Sequence, residues 1–388
     1  MEFENKQQIT PEDSHFQIAL RNNTTSDQAH AYVTGASISR NTLFFLLADG
    51  ETAYYPPQPA NPGAPLGHDC AIKLGSPGAI THVRVPHLEG ARIYFAIGKL
   101  VFRLDPGSGS GPALVEPSAT NPQDPNYDAK FSFAEFTWNS TQLFANISFV
   151  DFVGLPISLT LKTANGNEQH VSGIPSDGLE TICKKLQSVD SDGKDWAKLA
   201  IKSRSGEYLR ALSPYQAMIL HPQLFSGYYK DYVDKVWHKY QDEKLLVNTQ
   251  ASFGVLSGHV HGGELKVGNE SFHKPSTADI FSCSTGPFHN PKSGNAERLA
   301  IIPRLCAGFN RSTLLADNKT PDPDGSKDYY RNPVTNHYAK IVHEVTSDGK
   351  GYAFPYDDVK PDGGKDQSGK VSTGHPQSLV VTVGGHEA

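Results

Sequence analysis

Two acidic side chains stand out by their surroundings. In FAEFTWNSTQLFANISFVDFVGLP, residues 133–156, Glu135 and Asp151 each interrupt an apolar, aromatic, strand-prone run, and the segment contains no Lys or Arg. Carboxylates in such runs must either meet buried cations, which the local sequence does not supply, or line a wet groove where one is held protonated and the other ionised. Alternation along FSFAEFTWN places Phe131, Phe133, Glu135, Thr137 and Asn139 on one face of a strand. Along NISFVDF, Ile147, Phe149 and Asp151 alternate with Asn146, Ser148 and Val150. A hairpin turning at NSTQ would let both acids project from one sheet face, and their even, sixteen-residue spacing permits it. A proton donor opposite a base is what glycosidic bond cleavage requires. A carboxylate separation of about 5 Å belongs to a covalent, retaining route, and roughly 6.5–9.5 Å to an inverting one with a water between. The same pattern also fits two edge or turn carboxylates with no chemistry at all.

The elements that must hold these acids are mainly short strands. From residue 15 to about 165 the chain reads as HFQIALRNN, NTLFFLLAD, THVRVPH, ARIYFAIG, LVFRL, KFSFAEFTW, LFANISFVDF and PISLTLKT, separated by Gly, Pro, Asn and Asp, which predicts an antiparallel sandwich or barrel over 15–172. Residues 105–128 form a long polar loop just before the acid pair, and loops of that length are often functional. Near residue 172 the character changes. PSDGLETICKKLQSVD has helical spacing behind an Asp177/Glu180 capping pair, and QLFSGYYKDYVDKVWHKYQDEK sets Tyr229, Val233, Val236, Trp237 and Tyr240 on one stripe, read as core packing. The runs LLVNTQ, ASFGVLSG, ADIFSCS and LAIIPRL read as strands, so 173–344 is expected to be a mixed α/β unit. Strands are expected again in GYAFPYDDV and SLVVTVGG, returning residues 345–388 to the first unit.

Composition narrows the partners. The 388 residues carry a formal charge of −6 with no Lys/Arg block, which argues against nucleic acid or an anionic membrane, and no apolar run approaches the ~20 residues that cross a bilayer. A neutral ligand fits better, bound by a chain expected to act as a monomer. The four cysteines (Cys70, Cys183, Cys283, Cys306) form no CxxC pair and are too few for a disulfide scaffold. Acceptor sequons at Asn22, Asn23, Asn139, Asn146, Asn269, Asn310 and Asn318 are compatible with secretion. The start MEFENKQQ has no basic or apolar signal region, so residues 1–14 read as a disordered N-terminal segment or a replaced start; an extracellular location is expected, an intracellular one being the alternative.

Other constellations are weaker. GHVHGGE offers His259, His261 and Glu264 at strand spacing without a third ligand at a recognised interval, so a structural turn is the expectation and no metal is assigned. PDPDGSKD (321–328) is similar to a calcium loop but lacks the distal Glu, and reads as a solvated turn. His337 and His343 in NHYAKIVH are either groove or surface residues. No G-x-S-x-G or phosphate-loop pattern occurs, Cys183 sits on an apolar helix stripe, and no cofactor is implied.

AEFTWN…NISFVDFVGLPISLTL resembles two related groups. Thaumatin-like proteins carry an A-E-F-[ST]-L-N segment followed by V-S-L-V-D-G-F-N-x-P-M, whose Glu and Asp line an acidic cleft; Glu135 and Asp151 match them. The closer likeness is to glycoside hydrolase family 64, β-1,3-glucanases with that barrel, an added mixed α/β domain and a wide groove. Ala91–Gly98, AGFNRSTLL (307–315) and NHYAKIVH (336–343) also resemble that family, and GYAFPYDDV resembles a C-terminal thaumatin segment. The resemblance implies an inverting endo-β-1,3-glucanase without a cofactor that cuts long β-1,3-glucan to laminaripentaose. Glu135 would then be the general acid and Asp151 the general base, with Thr137 and Asn139 on sugar hydroxyls. The alternative is a non-catalytic, thaumatin-like β-glucan-binding or antifungal defence protein. Thaumatin disulfides are absent, and Asn146 replaces a further cleft Asp.

Overall fold

The computed structural model describes residues 15–109, 111–189, 195–289 and 294–386; the expectation for residues 1–14 lies outside them. The architecture is mainly β with a mixed α/β portion. One five-stranded sheet runs in the order Glu168–Val171, Ile157–Thr163, Pro376–Val383, Phe16–Asn22, Ile80–Val85. Its alternating pattern is clear: Phe16, Ile18, Leu20, Leu159, Leu161, Leu379, Val381 and Val383 are buried, with more polar residues between them. Pro376–Val383 lies parallel to Phe16–Asn22 and antiparallel to Ile157–Thr163, so the end of the chain fills the middle of this sheet.

The larger, eight-stranded sheet positions the acids. Its order is Lys370–Thr373, Leu143–Ile147, Lys130–Trp138, Leu88–Ile97, Ala29–Ser37, Thr42–Leu46 and Ala53–Tyr54, with Ile72–Lys73 also paired to Ala29–Ser37. Along Lys130–Trp138, Phe131, Ser132, Phe133 and Ala134 are all buried, whereas Glu135 and Thr137 are partly exposed. The strand is therefore covered on both faces at its start and opens on one face at Glu135. The cover is the segment after residue 99. Phe102 packs on Tyr32, Phe45 and Tyr94, and Tyr94 packs in turn on Phe133, with ring centroids 5.0–5.4 Å apart.

Within 105–128 the expected long polar loop is partly built. Ala113–Val115 pairs with Arg103–Asp105, which pairs with Ala64–Pro65, in a small sheet of its own. Arg210, fully buried on the strand Tyr208–Leu212, anchors the remainder by donating to the carbonyls of Ala119, Tyr127 and Ala129 at 2.6–2.9 Å.

Beyond residue 172, helix Gly178–Ser188 forms as expected, but the Asp177 side chain makes no cap bond. Helix Lys230–Asp242 buries Tyr232, Val233, Val236, Trp237 and Tyr240, as core packing requires. Leu245–Asn248 and Val255–His261 join a five-stranded sheet. Two predicted strands are helices instead. ADIFSCS (278–284) falls on the helix Thr277–Ser282 and its C-cap Cys283, the helix being started by a Ser276/Asp279 capping box, and LAIIPRL lies in Ala296–Asn310, capped by Asn295. Ala300–Ile302 and Leu305–Asn310 are buried without a break, which erases the helical period and leaves an apolar run that looks like a strand. GYAFPYDDV is turn structure apart from one bridge between Tyr352 and Ser148. All four cysteines are free and buried. Asn22, Asn146 and Asn310 are buried too, which closes those sequons to glycosylation.

Candidate active site

Cross-strand register assembles the first half of the site. Thr34 pairs with Arg92, Arg92 with Glu135, Glu135 with Asn146, and Asn146 with Lys370, giving one polar row across five strands. The Glu135 side chain is 34% exposed. Its Oε1 accepts from Arg92 Nη2 at 3.1 Å and Nε at 3.3 Å, and its Oε2 from Asn146 Nδ2 at 3.2 Å. The guanidinium of Arg92, whose side chain is 26% exposed, is itself held by further contacts. Arg92 Nη1 donates to Glu116 Oε2 at 2.6 Å and to Tyr94 Oη at 3.2 Å, and its plane lies 4.3 Å from the Phe133 ring centroid. The absence of a cation near Glu135, inferred from the local segment, is thus overturned by a residue 43 positions away in sequence. Glu116 arrives from the far side, just after Ala113–Val115.

The second half is built by a bend. The pairing of Glu135 with Asn146 puts Asn146 on the side of Glu135, so strict alternation would send Asp151 to the opposite face. The sixteen-residue spacing therefore argues against a shared face in an unbroken hairpin. The hairpin does turn at residues 139–142, but its second strand ends at Ile147 and the chain bends away through Ser148–Asp151. Three contacts fix that bend. Phe149 N–H donates to the Tyr352 carbonyl at 2.7 Å, the fully buried Tyr338 hydroxyl donates to the Phe149 carbonyl at 2.6 Å, and Ser213 N–H donates to the Asp151 carbonyl at 2.9 Å. The partly exposed Asp151 carboxylate receives Gln216 Nε2 on Oδ1 at 2.7 Å. Gln216 rides on the short helix Pro214–Leu220, whose N-cap is Ser213.

The segments carrying the two acids pack against each other. Phe152 stacks edge-on against Phe131, with centroids 5.2 Å apart, and also meets Phe133. Gly154 comes so close to the Phe131 carbonyl that a Cβ there would sit 2.2 Å from the oxygen, so only glycine permits this approach. Beside the polar row lies an open cleft of about 400 Å³, lined by Thr34, Asn41, Thr42, Arg92, Leu114 and Glu116 among others.

Thr137 stands two residues beyond Glu135, with its Oγ1 accepting from Gly90 N–H at 3.4 Å. Asn139 lies in the hairpin turn, where its Oδ1 accepts from Thr141 N, Thr141 Oγ1 and Gln142 N, leaving its amide NH₂ for other partners. His343 is buried against Asp357, and burial lowers the proton affinity of His337, which packs on Trp196. Among the described residues, neither Glu135 and Asp151 nor His259, His261 and Glu264 belong to a trio of side chains that could close on a metal. Arg92, Glu116, Gln216 and Tyr338 were not singled out from sequence. Tyr338 lies in the quoted NHYAKIVH stretch and Arg92 in ARIYFAIG, but nothing local in either marks its long-range partner.

The sequence model of the family described as "Beta-1,3-glucanase", glycoside hydrolase family 64, matches residues 14–383. A glucan endo-1,3-beta-glucosidase of Arthrobacter sp. (strain YCWD3) is 28% identical over 311 residues, 78% of this chain; the chain spans 53% of that relative's length. The crystal structure of a laminaripentaose-producing β-1,3-glucanase in complex with laminaritetraose superposes with a TM-score of 0.82 at 31% identity, covering 95% of this chain and 98% of that one. A β-1,3-glucanase domain from Clostridium beijerinckii shares the fold at 21% identity and a TM-score of 0.71, covering 96% of this chain and all of that one.

Proposed function

Because the chain belongs to glycoside hydrolase family 64, the β-1,3-glucanases, we propose that it is an endo-β-1,3-glucanase acting by inversion on long β-1,3-glucans, with Glu135 and Asp151 as its two catalytic carboxyl groups. The observation that supports this reading is that the segments carrying two partly exposed carboxylates pack against each other, each acid being held by its own donors from a different part of the fold. Protonated Glu135 donates to the leaving glycosidic oxygen as the C1–O bond breaks. Asp151 takes a proton from a water whose oxygen forms the new bond to C1 from the opposite face. Glu135 ends ionised and Asp151 protonated, and solvent resets both.

Arg92 sits where it stabilises the charge developing on Glu135 as the proton leaves, and the Asn146 amide steadies the other oxygen. Glu116 balances Arg92, so the row does not carry an uncompensated cation. Thr137 and the Asn139 amide are proposed to contact sugar hydroxyls next to the cut. The 400 Å³ cleft beside Arg92 is a place for further sugar residues, with polar side chains for hydroxyls and Leu114 for a ring face. The likeness to a laminaripentaose-producing enzyme supports laminaripentaose as the product. Extracellular action by a monomer fits a polymeric substrate.

The test is incubation with laminarin and curdlan followed by chromatography of the products. Wild-type protein is expected to release laminaripentaose, whereas Glu135→Gln and Asp151→Asn each lose at least about 10³-fold in kcat while still binding insoluble glucan. Near-normal turnover by Asp151→Asn would remove Asp151 from its role. A wild type that binds glucan without cutting it would leave a binding protein.

A further inference from the structure

The segment PDPDGSKD was expected to be a solvated turn, and the structure places Asp322 otherwise. Asp322 is 2% exposed. Its Oδ1 accepts from Asp324 N–H at 2.9 Å, but its Oδ2 is buried with no hydrogen-bond donor among the described residues. A buried carboxylate oxygen with no donor is costly, and it is relieved only by a proton or a cation. The carboxylates of Asp324, which is exposed, and Asp328, which is partly exposed, converge on the same point: one oxygen from each of the three lies within 4.8 Å of the others. One counter-charge is fixed nearby, Arg331 Nη1 at 3.1 Å from Asp328 Oδ1, and that arginine is mostly exposed.

We propose that Asp322, Asp324 and Asp328 form a calcium site that ties down the segment between the strand Lys319–Thr320 and Tyr329–Tyr330. The donor set is all oxygen, which selects a hard cation over zinc or copper. Calcium binds oxygens at about 2.3–2.6 Å, so two ligands of one ion stand at most roughly 4.6–5.2 Å apart, and three oxygens within 4.8 Å of one another can share it. Magnesium, at about 2.0–2.1 Å, needs a tighter set and usually takes only one or two carboxylates. Waters complete the shell from the exposed side.

Full-length protein is compared by calorimetric titration with CaCl₂, and by thermal unfolding in EGTA or in 10 mM CaCl₂ at matched ionic strength. With a Kd of about 10⁻⁴–10⁻³ M, as in extracellular calcium modules, the unfolding midpoint rises by roughly 2–3 °C in calcium. MgCl₂ gives a smaller rise, and the Asp324→Asn/Asp328→Asn double variant, altered only at partly or fully exposed positions, loses both the heat and the shift. A wild-type midpoint indifferent to calcium, with no heat above that of the double variant, would overturn the site and leave Asp322 as a protonated buried acid. Equal calcium responses in wild type and double variant would overturn it as well.

Discussion

Replacing Asp357 by Asn probes how the fold holds the bend that carries Asp151. Asp357 lies in YDD (356–358) and is, with Asp358, the next acid to try should Asp151 fail as base. Its side chain is 0% exposed and that of Arg311 3%; Arg311 Nη2 donates to Oδ1 at 2.9 Å, while His343 Nε2 at 2.8 Å and Ala353 N–H at 2.9 Å face Oδ2. An Asn amide there confronts the Ala353 N–H with another donor or leaves Arg311 as an uncompensated buried cation. Breaking a buried pair in this way costs about 3–5 kcal/mol. At roughly 2.1 cal/mol/K per residue, 388 residues unfold with an entropy of about 0.8 kcal/mol/K, so the midpoint falls by about 4–6 °C.

The dependence on pH follows from the same contacts. Burial raises the proton affinity of Asp357, but His343, Arg311 and the Ala353 N–H outweigh it and hold the carboxyl below its ordinary range. Its folded pKa is depressed, so the contribution is present above the unfolded value of about 3.9 and is lost as pH falls below it. Circular-dichroism melts should therefore show a gap between wild type and variant at pH 7 that narrows below about pH 4. Because Ala353 adjoins Tyr352, whose carbonyl holds Phe149, the variant should also lose part of its kcat well below its midpoint. An unchanged midpoint, within about 1 °C, would refute the reasoning. So would complete loss of kcat at a wild-type midpoint, which would make Asp357 catalytic.

Gln216→Ala removes the donor to Asp151 Oδ1, which in the proposed mechanism frees the carboxylate to rotate off the attacking water. Loss of one charge-assisted hydrogen bond worth about 1.5 kcal/mol should lower kcat roughly tenfold with KM little changed, and steady-state kinetics on laminarin that leave kcat intact would contradict it. Burial pushes the Cys70 and Cys183 thiols up to about 12, and Cys283 and Cys306 are also buried, so a thiol reagent at pH 8 should find the native protein nearly silent and all four cysteines after unfolding. Prompt reaction of the native chain would contradict the closed core.

Alternation carried much of the fold. PISLTLKT is a strand in which buried Ile157, Leu159 and Leu161 alternate with more exposed residues, and KFSFAEFTW is one whose aromatic residues suit the sheet. Alternation failed in the buried runs Ala300–Ile302 and Leu305–Asn310 of the helix Ala296–Asn310, since period 3.6 and period 2 look alike where consecutive positions are all buried. The two acids were legible as apolar-run interruptions, but the contacts that hold each of them were not. Asp151 is placed by a four-residue bend pinned by Tyr338, Tyr352 and Ser213, and Glu135 by Arg92 and Asn146. Apart from Asn146, each of these partners lies more than forty residues from the acid it serves, and Glu116 reaches Arg92 only because the segment after residue 99 folds over the sheet.

The most direct measurement of the central claim is the anomeric configuration of the first-formed reducing ends, followed by proton NMR during the opening minutes of laminarin hydrolysis. A water activated by Asp151 on the face opposite Glu135 predicts fresh α-anomer, followed by mutarotation. Fresh β-anomer would mean a covalent, retaining route, and would contradict the division of roles between these two side chains.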